Sequence, residues 1–185
     1  MAIEREIKLR FDNAEQARER ILSIGATPLR GRRLQEDCLL DTEQDILYRR
    51  RCVLRVRNEG GKSLLTFKGP VQPSAVKMRE EHETVAADGD TLLRILQELG
   101  LHVWFRYEKY REEFSAQDVI IAIDETPVGT FVEIEGSENH IRETAAALGK
   151  APHDYITDSY RTLFLQHCSL HGLSATDMLF AAAVE

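Results

Sequence analysis

The feature that most constrains this chain is the charge spacing in its opening stretch, Ala2-Ile3-Glu4-Arg5-Glu6-Ile7-Lys8-Leu9-Arg10-Phe11. Glu4, Glu6 and Lys8 fall on every second residue, and Ile3, Ile7, Leu9 and Phe11 fall between them. Side chains two residues apart share a face only in an extended chain, so the stretch reads as a strand with one charged and one aliphatic face. Same-face neighbours stand about 7 Å apart, which lets two carboxylates share a hydrated cation while the ammonium reaches an adjacent anion. A solvated strand face has the same appearance. Repetition separates the two readings, because Arg55 and Arg57, Lys68, Arg79 with Glu81 and Glu83, Lys109 and Arg111, Asp124, and Glu133 with Glu135 fall on later strands in the same way. The alternation is imperfect: Val132 and Ile134 lie between the last pair, but Val53 shares the phase of Arg55 and Arg57.

The other elements follow from period and punctuation. Asn13 to Gly25 places Ala14, Ala17, Ile21, Leu22 and Ile24 at helical spacing, with Asn13 or Asp12 as the cap and Gly25 as the stop. Residues 28–41 read as a long charged strand, followed by a turn or 3₁₀ segment around Thr42 to Leu47. Cys52 to Asn58 and Lys62 to Lys68 form a hairpin across Gly60-Gly61. Lys77 to Val85 is a strand, Asp88 to Leu99 a helix ended by Gly100, and His102 to Ser115 a long aromatic strand. Val119 to Asp124 and Thr130 to Gly136 make a second hairpin, with helices at about 139–148 and 157–170. The expectation is an α+β chain of about eight strands and four helices, with one domain over 1–171 and a tail or helix over 172–185.

A face this charged cannot be a dry core, since an unpaired buried ion costs several kcal/mol. A sheet curled into a barrel, with helices over its aliphatic outside, would instead enclose a water-filled lumen. Lys8, Arg55, Arg57, Lys68, Arg79, Lys109 and Arg111 suit phosphate oxygens, the arginines as bidentate forks. Glu4, Glu6, Asp124, Glu133 and Glu135 are the hard oxygen ligands that Mg²⁺ or Mn²⁺ prefers. No glycine-rich phosphate loop is present, so phosphate must be held by side chains. Among 185 residues with 43% hydrophobic content, no apolar run is long enough to cross a bilayer, and no leader pattern precedes the first strand. Cys38, Cys52 and Cys168 are odd in number and far apart, which fits reduced thiols and a cytoplasmic protein. The net charge of −7 argues against general nucleic-acid binding.

The ordered set of charged motifs resembles the CYTH superfamily, also called triphosphate tunnel metalloenzymes, which includes class IV adenylyl cyclases and thiamine triphosphatases. The resemblance runs over about residues 2–165. Glu4-x-Glu6-x-Lys8 resembles the family signature, and further motifs follow in family order: Arg55-x-Arg57, Thr66-x-Lys68-Gly69, Lys77-x-Arg79-Glu80-Glu81-x-Glu83, Glu108-Lys109-x-Arg111, Asp124 and Gly129-x-Phe131-x-Glu133-Ile134-Glu135. The resemblance implies an eight-stranded antiparallel barrel whose tunnel holds a triphosphate and one or two divalent ions. Lys8, Arg55, Arg57, Lys68, Lys109 and Arg111 are then expected to hold the chain, with Arg79 beside them. One ion is expected on Glu4, Glu6 and Glu135 or Glu133, and a second near Asp124 to activate water. Lys77, Glu81 and Glu83 are further candidates. The chain departs from class IV cyclases in having Met1, Ala2 and Ile3 where they carry a His-Phe pair before the signature, whereas Asp158-Ser159-Tyr160-Arg161 looks closer to the bacterial cyclase-like branch.

These observations make a metal-dependent triphosphatase the expected activity, with an adenylyl cyclase as the enzymatic alternative and a polyphosphate-binding module as the non-enzymatic one. The expected partner is a small-molecule triphosphate, with neither nucleic acid nor membrane, and a homodimer stays open. His82, His102, His140, His153, His167 and His171 share no ligand spacing and are expected outside the chemistry. Trp104, Phe105, Tyr107 and Tyr110 are expected to pack under a helix rather than to stack a base. Arg5 and Glu80 have the wrong phase for the lumen. The stretch from Gly172 reads as a tail or a capped helix starting at Ser174, with packing on the barrel the default over plugging one tunnel mouth or contacting a partner.

Overall fold

The opening stretch forms strand β1 (Ala2–Phe11), and its charged face turns into the lumen of a closed antiparallel barrel. The computed structural model describes residues 2–181. After β1 come β2 (Thr27–Thr42), β3 (Val53–Glu59), β4 (Lys62–Lys68), β5 (Lys77–Ala86), β6 (Leu101–Ala116), β7 (Val119–Thr126) and β8 (Gly129–Glu135). Around the barrel they stand in the order β1-β5-β4-β3-β2-β6-β7-β8. The hairpins β3–β4 and β7–β8 are those the turn residues predict. Register puts Glu6 opposite Glu135 and Lys8 opposite Glu133, so the phase read along one strand is shared by its neighbour.

Five helices lie among the described residues: α1 (Ala14–Ser23), α2 (Ile46–Arg49), α3 (Gly89–Glu98), α4 (Glu138–Ala147) and α5 (Tyr160–His171). Asn13 caps α1 and Asp88 caps α3, each accepting backbone N–H groups of the first turn. Helices α1 and α4 cover the aliphatic outer faces of β1, β7 and β8. The core between them includes Ile7, Leu9, Ile21, Ile121, Ile134 and Ile141, all fully buried, and each such side chain contributes about 1.5–3 kcal/mol. A second core of Phe105, Tyr107, Phe131, Tyr160, Leu163 and Phe164 lies where α5 packs on the barrel. No helix among the described residues is long and apolar enough to cross a membrane.

Three expectations are corrected. The turn expected around Thr42 to Leu47 is present at Glu43-Gln44, but the segment runs on as the short helix α2 rather than as a 3₁₀ segment. Helix α5 begins at Tyr160, not Thr157, because Ile156 exchanges backbone hydrogen bonds with Lys8 on β1 and is held extended. Ser159 then accepts the Thr162 N–H and starts the helix. The tail from Ser174 to residue 181 is not helical, and residues 182–185 of that expectation lie outside the described residues. Its Met178 is fully buried and pairs with Tyr107, accepting from the Glu108 N–H while its own N–H donates to the Arg106 carbonyl. The first half of β6 extends beyond the pairing with β7, which starts at Tyr110, and the tail satisfies part of that open edge.

Asp41, at the end of β2, holds the loop that carries α2. Its Oδ1 accepts the N–H groups of Thr42 (2.7 Å) and Leu47 (2.9 Å), and its Oδ2 that of Tyr48 (2.7 Å). The loop is bounded by two non-glycine residues in the left-handed region, Asp45 (φ 55°) and Arg51 (φ 58°), a conformation that costs about 1–2 kcal/mol for each residue. Burial raises the Asp41 carboxyl pKa, but the three N–H groups outweigh it and hold the group below its ordinary value. Asp41→Ala should destabilise the protein by about 1–3 kcal/mol, because it leaves those donors without an acceptor. A depressed folded pKa contributes stability above the ordinary carboxylate value, about 4, which is lost as pH falls through the folded value. Urea titrations at neutral pH and near pH 3 should therefore show the gap between wild type and Asp41→Ala shrinking in acid; a gap independent of pH would contradict this account.

Candidate active site

The inward faces of the strands line a cavity of about 860 Å³. It is lined by Glu4, Glu6 and Lys8 of β1, Arg55 and Arg57 of β3, Lys68 of β4, Lys77, Arg79, Glu81 and Glu83 of β5, Lys109 and Arg111 of β6, and Glu133 and Glu135 of β8. Of the sequence-predicted site residues only Asp124 does not line it; fully buried on β7, it lies behind Lys109 and Arg111. None of the six histidines, nor Arg5 or Glu80, lines the cavity. Val53 does, which accounts for its sharing the phase of the two arginines.

Two buried aspartates organise the basic side. Asp37 of β2, whose side chain is fully buried, accepts Arg57 Nε at 2.8 Å and Arg57 Nη2 at 3.2 Å, and forms an ion pair without a hydrogen bond to Arg55 Nε at 3.4 Å. Burial raises the Asp37 pKa, and Arg57 and Arg55 more than reverse that. Arg55 also donates to Thr66 Oγ1 and lies 3.5 Å from Glu83, yet its Nε is buried with no hydrogen-bond acceptor. Asp124 accepts Lys109 Nζ at 2.7 Å, Arg111 Nε at 2.7 Å and the Tyr160 hydroxyl at 2.6 Å. Arg111 reaches on to Glu133. Lys109 is pushed down to about 8 by burial and Arg111, even with Asp124 beside it, because that carboxylate is shared. Burial and the nearby Asp124 and Glu133 keep Tyr160 a protonated phenol. Its ring lies under Lys8 (5.1 Å) and Lys109 (4.8 Å) as a cation–π partner to both.

The acidic side is largely occupied by lysine and arginine. Glu4 pairs with Lys68 (2.7 Å) and Arg79 (3.2 Å), Glu6 with Lys77 (2.6 Å) and Lys8 (3.2 Å), and Glu133 with Lys8 (3.2 Å) and Arg111. Burial, Lys8 and Arg79 outweigh Glu6 and push Lys77 down to about 8. Glu81 shares Lys68 at 2.8 Å. Among the described residues no three carboxylates, histidines or cysteines are gathered at metal-binding spacing. The donor set nevertheless fits a hard divalent cation at one place. Glu135 has no cationic partner among the described residues, stands directly opposite Glu6, and is pushed up to about 7 by burial, Glu4 and Glu6. Like charges directly across a sheet destabilise it, and a divalent cation between them removes that cost.

One end of the cavity has a different chemistry. Tyr48, Arg49 and Arg51 line it from the α2 loop, Trp104 from β6, and residues 157–162 from the start of α5. Phe105 and Tyr107 pack under α5 against Phe164 and Tyr160, as expected of them. Trp104, half-buried against the same core, also lines the cavity: it meets Tyr48 edge to face at 6.3 Å, and the Arg161 guanidinium lies 4.6 Å from its ring. Asp37, Tyr160, Tyr48 and Trp104 are among the site residues that sequence reasoning missed, as are Arg33, Gln35, Glu59 and Glu113, which also line the cavity.

The CYTH domain family matches residues 2–160, all but the last turns of the protein's fold. The chain belongs to the CYTH family. Among relatives, this CYTH protein is 30% identical over 142 residues to a Methanocaldococcus jannaschii protein named as a candidate adenylate cyclase, an alignment covering 76% of this chain and 81% of the relative. A Vibrio parahaemolyticus structure, also named as a candidate adenylate cyclase, superposes with a TM-score of 0.77 at 20% identity, over 88% of this chain and 98% of that one. A Hippeastrum structure, described as a candidate adenylyl cyclase with a dominant triphosphatase activity, superposes with a TM-score of 0.67 at 18% identity, over 90% and 96%. At these identities the two structures establish the shared fold.

The role of Asp37 is testable by removing its charge alone. Asp37→Asn leaves two buried guanidiniums short of a counter-charge and should cost about 3 kcal/mol in urea titrations. A phosphate chain in the cavity supplies the missing negative charge, so millimolar tripolyphosphate should raise the melting temperature of Asp37→Asn more than that of the wild type. Equal shifts in the two proteins would mean that the chain does not reach Arg55 and Arg57.

Proposed function

We propose that this CYTH protein is a divalent-cation-dependent triphosphatase that releases phosphate from a triphosphate chain. The observation that carries the reading is the convergence of Lys8, Arg55, Arg57, Lys68, Lys109 and Arg111, from four strands, on one cavity in which Arg55 Nε, though paired with Asp37 at 3.4 Å, is buried without a hydrogen bond among the described residues. A buried donor without a hydrogen bond costs up to about 1–3 kcal/mol, and a phosphate oxygen removes that cost. Asp37 and Asp124 are fully buried and hold the arginine forks in place, so little order is lost when the chain binds. With three side chains already donating four hydrogen bonds to it, Asp124 is assigned to positioning Lys109 and Arg111 rather than to a second ion.

Glu4, Glu6 and Glu135, with Glu133 as the other choice of third ligand, would hold Mg²⁺ or Mn²⁺, which supplies charge neutralisation and orientation of the phosphates when bound. Lys68 and Lys77, which occupy Glu4 and Glu6, turn to phosphate oxygens as those carboxylates are taken. The water oxygen attacks the terminal phosphorus, the bond to the bridging oxygen breaks, and the departing diphosphate carries its new charge onto the basic side chains. The triphosphatase activity described for the Hippeastrum protein supports this reading. A cyclase reading, in which a ribose 3′-hydroxyl attacks the α-phosphate and pyrophosphate leaves, is favoured by the name of the Methanocaldococcus relative. Incubation with tripolyphosphate, ATP and thiamine triphosphate, each with Mg²⁺ or Mn²⁺, separates the two by product. Phosphate release supports the triphosphatase, cyclic AMP with pyrophosphate the cyclase, and binding without turnover a binding module.

Glu135→Gln is the cleanest test of the cation site, because Glu135 forms no ion pair among the described residues whose loss would complicate the result. The variant should melt at or above the wild-type temperature, since a like-charge contact is relieved, and should lose about two orders of magnitude in metal-dependent turnover. Wild-type turnover in Glu135→Gln would remove it from the site. Arg55→Lys and Arg57→Lys keep the charge and lose the fork, so each should lower kcat/KM by about 10- to 100-fold. Silent kinetics at both positions would show that the forks do not grip substrate.

A further inference from the structure

We propose that Gln35 is a catalytic residue whose side-chain oxygen holds the attacking water against the terminal phosphorus; the inference rests on the triphosphatase reading above and deepens it. The first argument is an orphaned acceptor. Gln35 of β2 lines the cavity and is 1% exposed, and its Oε1 is buried without a hydrogen bond among the described residues. An unsatisfied buried acceptor is costly to a fold, so its presence in a binding cavity points to a ligand that donates to it. A deprotonated phosphate oxygen is itself an acceptor and cannot do so. A water O–H can.

The second argument is that the carboxamide is held in one orientation. Its Nε2 donates to Glu59, at the end of β3. Glu59 also accepts Arg33 Nε at 2.5 Å, and Arg33 Nη2 donates to Glu113 at 2.7 Å. Burial raises the Glu59 pKa, but Arg33 and Gln35 more than reverse that, so Glu59 is an anion. An anion only accepts, which obliges the amide N–H₂ to face Glu59 and leaves the oxygen as the free end. Arg33, Glu59 and Glu113 thus have a task that none of the phosphate-holding side chains performs, the fixing of Gln35.

Position gives the oxygen its role. The Thr42 end of β2 leads to the mouth of the cavity, where Tyr48 and Trp104 lie, and Arg33 stands about 30 Å back along the strand at about 3.3 Å per residue. From the mouth inward β2 presents Leu39, then Asp37 with the two arginine forks, then Gln35, which register places opposite Lys109. A chain held by Arg55, Arg57 and Lys109 with its terminal phosphate inward has that phosphorus beside Gln35 and its bridging oxygen toward the mouth. In-line displacement needs the nucleophile on the side away from the bridging oxygen, which is the side of Gln35; a glutamine that orients the attacking water is an established device of phosphoryl transfer. The water oxygen bonds to phosphorus as the bond to the bridging oxygen breaks, diphosphate leaves with that electron pair, and both water hydrogens stay on the released phosphate. Gln35 accepts a hydrogen bond and takes no proton.

Gln35→Leu removes the acceptor at similar volume. With the activating cation it should lower kcat for tripolyphosphate about 100-fold, the loss expected of a misplaced nucleophile, and leave KM within about threefold. In EDTA the rise in melting temperature with millimolar tripolyphosphate should equal that of the wild type, because no phosphate ligand is lost. Glu59→Gln keeps Gln35 but lets its carboxamide turn over, and should lower kcat about tenfold with KM again unmoved. An unchanged kcat in Gln35→Leu, as a static buried water on Oε1 would give, overturns the inference. A kcat loss accompanied by loss of the melting shift marks a structural role and overturns it too. Should Gln35→Leu fail to fold, Glu59→Gln decides by the same criteria. Absence of phosphate release by the wild type defeats the triphosphatase reading and this inference with it, whereas an active wild type matched by Gln35→Leu defeats the role of Gln35 alone.

Discussion

The constraint on which the rest of the structure depends is the pairing of charges inside the barrel. Lys8, Lys109 and Asp124 are almost wholly removed from solvent, and an ion so placed costs several kcal/mol unless a partner of opposite sign lies within hydrogen-bond distance. Alternation along β1, β5, β6 and β8 supplies these partners across neighbouring strands, as Lys8 opposite Glu133 and Glu4 opposite Arg79 illustrate. Register is therefore fixed twice over, by the aliphatic outer face and by the ion pairs within. A one-residue slip of β1 would expose Ile7 and Leu9 to the lumen and bury Glu6 and Lys8 beneath α1 and α4.

The same pairing sorts the lumen into permanent and exchangeable contacts. Asp37 and Asp124 are inaccessible and each takes two or more donors, so their hold on the arginines persists whatever occupies the cavity. Glu4 and Glu6 hold lysines near the cation site proposed here, and a lysine ammonium on a flexible stem changes partner at low cost. Glu135 stands outside both sets, facing Glu6 with no cation of its own. Rigid forks on one side and exchangeable lysines on the other are a physical basis for receiving an anionic chain and a cation together.

How much of this was legible in the sequence depended on whether a side chain obeyed the period of its strand. Glu4, Glu6, Lys8, Arg55, Arg57, Lys109, Arg111, Glu133 and Glu135 did, and the lumen they line was readable from spacing alone. Asp37 was hidden because β2 shifts register between Pro28 and Arg30 and between Arg30 and Arg33, which breaks any count along the strand. Trp104 packs on the α5 core as read, and its place on the cavity wall was hidden because nothing local announced the bulge that turns it. The tail from Ser174 has a cap-like start and an apolar run, yet the unpaired edge of β6 outcompetes helix formation, an effect of topology that no local pattern carries. Tyr160 enters the lumen from a helix, where strand periodicity gives no information.

The first turn of α5 ties the parts of the site together. Ile156 is held against Lys8 by two backbone hydrogen bonds, and Ser159 starts the helix three residues later. That short spacing leaves Tyr160 little freedom, and its hydroxyl closes on Asp124 while its ring supports two lysines. Its neighbour Arg161 is carried by the same turn to the mouth, beside Trp104. A displacement of this turn moves a group under the basic half and a group at the mouth together, because one backbone segment bears both. The side chains beside Trp104 and the order of the lysines over Tyr160 are thereby coupled through a single helical turn, whose position is set by the strand that opens the chain.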